Sequence, residues 1–336
     1  MKIDYKVESI LDKAEAGEEI TRKEAVVLMK IDENSPDMYA LMSAANTLSR
    51  RQYGNKGEVY AQLGINLWPC PKSCTFCFFG EKWNMIESPV EFSLEEVVAK
   101  ASKFEDDGAN AIFLMTTANY PFDHYIQIAR AVRKVISPDM PMAANIGDFG
   151  IEQAKELFDA GFQGVYHICR LREGKDTVIN PEDRLQTLKA IRDAGLALIY
   201  CVEPIGPEHS AEELVEEMFR GKEYGAVNNS CMWRVPVPGV PLAKFGKISE
   251  INLAKVIAVA RIVAGDSIKA MGVHEARVLP LVAGANAIFA EAGPNPRDTI
   301  ADTSEGRGFS VEDCKNMLRE AGYTPMEGPT KALRGS

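Results

Sequence analysis

No apolar run in this sequence approaches the length of a membrane span; stretches such as "VIAVA" at 256–260 fall far short of about 18 residues. The opening "MKIDYKVESILDKAEAGEEI" is acidic and carries no apolar h-region, so no secretory signal is expected and the expected location is the cytoplasm. Positive charge is short as well: 38 Lys and Arg stand against 48 Asp and Glu, a net charge of −10. A nucleic-acid partner, which needs a basic surface, is argued against. Cysteine is sparse and odd in number, seven in 336 residues. Without an export signal, metal or redox chemistry is a better default for them than disulfides. A hydrophobic content of 46% with 26% charged residues is enough to bury a large core. The length suggests two domains, or one α/β barrel with an extension.

Three of the seven cysteines are crowded into one stretch, "INLWPCPKSCTFCFFGEKW". Cys70, Cys74 and Cys77 have the spacing C-x3-C-x2-C, with Phe76 just before the last. A structural zinc site needs four ligands, and this stretch offers three cysteines and no histidine. Iron–sulfur clusters are held by cysteine thiolates, and three ligands on a four-iron cluster leave one iron open to a substrate or cofactor.

From residue 6 to about 50 the pattern is helical. "TRKEAVVLMKI" reads as a capping box, with Thr21 as N-cap and Glu24 three residues on. The expected organisation is an N-terminal helical cap over 1–55, a barrel over 56–325 and a C-terminal tail over 326–336. Within the barrel, strand and helix patterns alternate. "VYAQLGINL" precedes the cysteine stretch and the helix "SLEEVVAKASKFEDDG"; "ANAIFLMTT" and "MPMAANIG" follow, each with its helix. "FQGVYHIC", "LALIYCVEPIG", "AVNNSCMWRV", "SIKAMG" and "ANAIFA" continue the series. Helices ending at Gly108, Gly161, Gly195 and Gly284 run at once into an apolar strand. Eight such units in about 260 residues predict a (β/α)8 TIM-type barrel, with a doubly wound sheet as the competing architecture. The chemistry of such a barrel sits at the C-terminal ends of its strands. The cysteine stretch follows the first strand directly.

C-x3-C-x2-C after the first strand of a barrel, with an aromatic residue before the third cysteine, resembles the radical S-adenosylmethionine (SAM) superfamily. The resemblance implies that Cys70, Cys74 and Cys77 bind a [4Fe-4S] cluster, that SAM chelates the open iron, and that one electron cleaves SAM to a 5′-deoxyadenosyl radical. Phe76 would then lie against the adenine or seal the cluster from water. Over nearly the whole chain the resemblance is closest to biotin synthase and its relatives, among them two-protein lipoyl synthases, the maturase of the iron-iron hydrogenase cofactor and methylornithine synthase. "RLQTLKAIRDAG", "VPGVPLA", "VIAVARIV" and "LVAGANAIF" carry it. On that match Arg184 would pair with the SAM carboxylate, for which a guanidinium offers a bidentate contact; the alternative is an arginine on a helix surface. Thr116 and Thr117 in "TTANY" fall where the family binds the SAM amino group. "PIGPE" falls near its ribose and methionine contacts and nominates Glu208.

The family pattern then breaks. Biotin synthase holds a second, sulfur-donating cluster with cysteines on the second, third and fifth strands and an arginine on the seventh. Here the second and third strands carry none, and Lys269 stands near the arginine position. Cys201 alone matches, while Cys169 ends the fourth strand and Cys231 lies in the sixth. Neighbouring strands lie about 4.8 Å apart, so Cys169, Cys201 and Cys231 could converge on a second iron–sulfur cluster, with His167 as a fourth ligand or a substrate contact. Three buried thiols and a site for another metal are the other readings. Cys314 shares a face with Val311 and Leu318 and reads as core. His274 reads as a substrate contact or a cap, and the loop 293–308, with Arg297 and Arg307, as a closure over an anion or a plain polar loop.

The expectation is a radical SAM enzyme that inserts sulfur at unactivated C–H bonds in lipoyl- or biotin-type cofactor biosynthesis. The alternative is a sulfur-free radical SAM reaction resembling the hydrogenase maturase or methylornithine synthase, and an iron–sulfur scaffold or electron carrier is a third reading. Implied partners are SAM, a small-molecule or carrier-protein-bound acyl substrate, a low-potential electron donor such as ferredoxin or flavodoxin, and a second radical SAM protein; no nucleic acid and no membrane are expected.

Overall fold

The computed structural model describes residues 2–333. Eight parallel strands close into a barrel: β1 (Lys56–Gly64), β2 (Ala111–Met115), β3 (Met142–Asn145), β4 (Gly164–Tyr166), β5 (Ala197–Ile205), β6 (Ala226–Trp233), β7 (Gly272–Val273) and β8 (Ala287–Ala292). Closure is made by β8 on β1, in register from Glu58 with Ala287 to Leu63 with Ala292. The fold is the TIM-type barrel that the alternation predicts. A closed sheet leaves no open edge, which an open doubly wound sheet would retain. The seventh strand is shorter and later than "SIKAMG", because only Gly272 and Val273 complete the ladder between its neighbours. Among the described residues no helix is long and apolar enough to cross a membrane.

The outer ring comprises α4 (Leu94–Asp106), α5 (Phe122–Arg133), α6 (Ile151–Asp159), α7 (Pro181–Asp193), α8 (Ala211–Glu223), α9 (Glu250–Ala264), α10 (Val278–Val282) and α11 (Val311–Glu320). The glycines at the ends of four of these helices take left-handed φ, from 75° at Gly195 to 110° at Gly284. There a side chain would meet its own backbone. Three N-terminal helices, α1 (Tyr5–Glu15), α2 (Arg22–Met29) and α3 (Pro36–Tyr53), precede the barrel. The capping box read at Thr21 and Glu24 is present, with both hydrogen bonds made. These helices do not sit over an end of the barrel; α3 lies against α9 and α2 against α8 and α9.

Residues 326–333 of the C-terminal tail lie against the barrel. The strand β9 (Thr324–Pro325) pairs with the start of β1. The chain then crosses the N-terminal end of the barrel, where the Met326 amide donates to Gly57 O at 2.7 Å and the Thr330 amide to Asn110 O at 2.8 Å. Thr330 and Leu333 are fully buried there.

Above this closure the barrel interior is filled by aromatic side chains. Tyr60 and Phe113 stack at 5.5 Å between centroids, Phe289 meets both edge-on at 5.6 and 5.9 Å, and His274 lies 3.7 Å from Phe289, nearly parallel to it. His274 is therefore part of a packed floor, and its burial holds it neutral.

Outside the barrel, the fully buried Arg261 of α9 joins three chain segments. It donates to the carbonyls of Gly284, Ile268 and Lys269 and to the side chains of Gln52 and Asn286. Arg261→Ala is expected to destabilise the fold by about 3–4 kcal/mol, since it strands several buried acceptors at once. The midpoint of chemical denaturation measures this.

Candidate active site

The cysteine stretch folds on itself before anything else holds it. Cys70 N donates to Phe79 O at 2.7 Å, Ser73 N to Cys70 O at 3.2 Å and Cys77 N to Cys74 O at 2.9 Å. Proline at 71 and a left-handed Ser73 (φ 42°) make the turns that let three cysteines share one side. Three other loops then pin it. Thr75 donates from N and Oγ1 to Asp176 O, at 3.0 and 2.8 Å, in the loop after β4. Leu242 N, after β6, donates to Thr75 O at 2.9 Å, and Phe78 N donates to Pro296 O at 3.1 Å after β8. An apolar cluster of Leu67, Phe78, Phe79, Val237 and Val240 seals the outer side.

All three thiols line one cavity at the C-terminal mouth of the barrel, with Phe76, Thr116, Thr117 and Arg184 on its walls. Burial pushes the Cys74 thiol up to about 11, with Glu173 and Cys70 raising it further and Arg170 and Arg184 opposing them. Cys77 is raised by burial, then by its two sister cysteines. The thiols thus feel each other's charge, and two guanidiniums stand where three thiolates would need balancing. Among the described residues no three His, Cys, Asp or Glu side chains form a single-ion site. Three thiols from one loop, facing a cavity with cations behind them, fit a multi-iron cluster with one open corner.

Arg184 is not on a helix surface. It sits in the first turn of α7, is 5% exposed, and lines the cavity. Its Nη1 donates to Asp148 Oδ1 at 3.0 Å and its Nε to Glu173 Oε2 at 3.3 Å. These partners come from the loops after β3 and β4, so no helical spacing in the sequence announces them. Asp148 also lies 3.3 Å from His167 Nε2. Burial works against its charge, but the nearby His167 ring and the Arg184 charge hold it at about 2. Burial lowers His167 to about 4, so it stays neutral. Two carboxylates thus fix the guanidinium fork at the cavity wall. Arg184→Ala is expected to weaken SAM binding by about 1.5–3 kcal/mol, the range for hydrogen bonds to a charged group, with iron content unchanged. Calorimetry at constant iron loading tests it; equal affinity returns Arg184 to a structural role.

The threonines are placed by the strands beside them. Thr117 N donates to Asn66 Oδ1 at 3.0 Å, and Asn66 Nδ2 donates to Thr117 Oγ1 at 2.8 Å. Thr116 donates from N and Oγ1 to Asn145 O, at 3.0 and 3.2 Å. Their hydroxyls are engaged within the protein. Glu208 is turned away from the cavity into a two-point pair with Arg234, which donates from Nη2 at 2.9 Å and from Nη1. Arg234 lines the cavity in its place.

Cys169, Cys201 and Cys231 do not face one common site, although Cys231 is near enough to raise the Cys201 thiol. Cys201 faces the barrel interior beside Tyr166 and Glu203. Cys231 pairs in register with Val202, one residue out of phase with Cys201, so it faces the outer helices. A bulge causes this: Leu198 pairs with Ala226 but Ile199 with Asn228, and the skipped Val227 flips every later residue of β6. Cys169 lies beyond the end of β4, where strand alternation no longer applies. It is not part of the lining of the cavity that His167 lines, and it feels the charges of Glu217 and Arg220 of α8 as well as those of Glu173 and Arg184. Cys314 is fully buried in the core of α11. Arg297 and Arg307 do not stand free to close on an anion; each pairs with both Glu275 and Glu291.

Several cavity groups escaped the sequence reading. Glu203 accepts from Tyr166 Oη at 2.6 Å and lies 3.4 Å from Arg170 Nε. Gln62 and Asn145 add two amides to the wall. The two-residue period of β5 was the available signal: it puts Glu203 on the same face as Cys201.

Residues 70–221 match the model of the Radical SAM superfamily. The chain is 26% identical over 332 residues to a biotin synthase of Renibacterium salmoninarum, covering 93% of this chain and 95% of that protein. It is 28% identical over 297 residues to one of Pelotomaculum thermopropionicum, covering 83% and 90%. Among solved structures, the FeFe-hydrogenase maturase HydG of Carboxydothermus hydrogenoformans superposes with a TM-score of 0.81 at 18% identity, over 98% of this chain and 80% of that one. Methylornithine synthase (PylB) superposes with a TM-score of 0.80 at 16% identity, over 95% and 97%. At these identities the two structures speak for the fold alone.

Proposed function

From a chain that carries a radical SAM domain within a biotin synthase-like barrel, we propose an enzyme of cofactor biosynthesis that abstracts hydrogen from an unactivated carbon of a substrate held in the barrel mouth. When bound, a [4Fe-4S] cluster with SAM supplies one-electron cleavage of the S–C5′ bond and so a 5′-deoxyadenosyl radical. The observation that carries the reading is the single cavity shared by Cys70, Cys74, Cys77 and the doubly braced Arg184. In this reading the three cysteine thiolates hold the iron and Arg170 offsets their charge. Arg184 takes the SAM carboxylate, and Phe76 walls the site beside the backbone of Thr116 and Thr117. The apolar cluster around Phe78 and Phe79 shields the outer side of the cysteine loop from water. Substrate would meet the polar layer of Gln62, Asn145, Tyr166, Glu203 and Arg297 above the aromatic floor.

Two finer readings divide on sulfur. The biotin synthase relatives favour sulfur insertion of the biotin or lipoyl type. The opposed faces of Cys201 and Cys231, with Cys169 outside the cavity lining, favour a reaction without a protein-held sulfur donor. The geometry supports the second. Iron and sulfide quantitation with Mössbauer spectroscopy on anaerobically reconstituted protein separates them. The expected result is the iron of one cluster per chain, in wild type and in the Cys169→Ala/Cys201→Ala/Cys231→Ala variant alike. That variant should cleave SAM at the wild-type rate, at a packing cost of about 1–2 kcal/mol per site. Twice the iron in wild type, falling to one cluster in the variant, would establish a second cluster; sulfide labelled in that cluster and recovered in the product would favour sulfur insertion instead.

A further inference from the structure

A substrate radical, once formed, has to end as a closed-shell product. Where no sulfur closes it, a hydrogen atom does, and the group that gives one needs an X–H bond weaker than the C–H bond it makes. Phenol O–H and thiol S–H bonds meet that condition; the N–H bonds of amides, guanidiniums and imidazoles and the O–H bonds of alcohols do not. Among the described residues, the only thiols on the cavity wall are Cys70, Cys74 and Cys77, which the radical reading commits to iron, and the only phenol is that of Tyr166.

Tyr166 ends β4 and is 4% exposed. Its ring rests against His274 on the aromatic floor, 5.8 Å between centroids. It pairs in register with Ile199, so the two-residue period of β5 brings Glu203 to the same face. There Oη donates to Glu203 Oε2 at 2.6 Å, the length of a charge-assisted O–H···O bond. Burial, and then the neighbouring Cys201 and Glu203, push the phenol well above its ordinary value, so it keeps its hydrogen.

We propose that Tyr166 gives a hydrogen atom to the substrate radical and so closes the reaction. The inference rests on the radical SAM reading and deepens its sulfur-free form: the product gains one hydrogen that exchanges with solvent. The phenol O–H bond breaks and a C–H bond forms, leaving a phenoxyl radical on Tyr166. The low-potential one-electron donor that the radical reading already requires returns the electron, and solvent returns the proton. The bond to Glu203 fixes the ring with Oη at the cavity wall. A substrate held between the cysteine loop and the aromatic floor meets Tyr166 from the floor side.

The test uses SAM alone as the probe, because without a substrate the 5′-deoxyadenosyl radical is left to take hydrogen from the cavity wall. Reconstituted full-length protein with SAM is reduced by titanium(III) citrate in thiol-free D2O buffer, and the mass of the 5′-deoxyadenosine formed is read. Most of it should carry one deuterium in wild type. In Tyr166→Phe the deuterated fraction, taken per 5′-deoxyadenosine formed, should fall about fivefold or more, since phenylalanine has no O–H to give. Met232→Leu, a change of similar volume in the same wall, should keep the label. Wild type frozen during turnover should show an organic radical whose electron paramagnetic resonance spectrum narrows when the protein is made with ring-deuterated tyrosine. Tyr166→Phe should lack that signal. Unlabelled 5′-deoxyadenosine from wild type would overturn the proposal, as would equal loss of label in both variants. Should Tyr166→Phe fold poorly, the wild-type radical decides: a spectrum indifferent to ring deuteration overturns the assignment, and a narrowed one upholds it. No 5′-deoxyadenosine at all from wild type would overturn the radical reading and this inference with it, whereas unlabelled product overturns the inference alone.

Discussion

Replacing Cys70, Cys74 or Cys77 singly by alanine should abolish reductive SAM cleavage, leaving the barrel folded. The two halves of that expectation have different physical sources. Activity is lost because each thiolate is one corner of the donor set, and the cavity offers no neighbouring cysteine or histidine in the loop to replace it. Stability is kept because the loop is tied to the barrel by backbone hydrogen bonds, at Thr75, Phe78 and Leu242, that do not involve the thiols. Cys74 and Cys77 are only partly buried, so alanine there leaves a small void. The measurements are 5′-deoxyadenosine formation and iron content, alongside circular dichroism melting. Full 5′-deoxyadenosine production by any one of the three variants would sink the assignment of the site.

Air should inactivate the reconstituted protein, and turnover should require a low-potential reductant. An open iron corner facing this cavity would be exposed to oxygen, and the apolar cluster of Leu67, Phe78, Phe79, Val237 and Val240 covers only the outer side of the loop. Loss of iron absorbance on exposure to air, together with loss of SAM cleavage, is the expected pair of signals. Undiminished turnover in air with no reductant would contradict a radical mechanism.

Much of this site was readable along the chain because its determinants are local. Three cysteines within eight residues, an aromatic before the third, and turn-forming residues between them place the thiols together wherever the loop sits. Glycine at helix ends, the capping box at Thr21, and the switch from helical to strand period set the order of elements. Eight repeats of that order leave a closed barrel as the arrangement without an exposed edge. The first strand then carries the cysteine loop to the mouth by connectivity alone.

What the sequence by itself determined is therefore the architecture and the thiol loop, since both follow from residues within a few positions of each other. Tertiary structure decided which side chains share the cavity. Arg184 is braced by Asp148 and Glu173, which reach it only when consecutive loops are stacked around a closed barrel. The second cysteine set was decided by one skipped residue, Val227, whose bulge turns Cys231 outward although the unbulged register would pair it with Glu203 on the inner face. The closure of the barrel base by residues 326–333 is likewise a long-range pairing with Gly57 and Asn110. Register and stacking depend on contacts between distant segments, and a two-residue period carries no record of where a strand will slip by one.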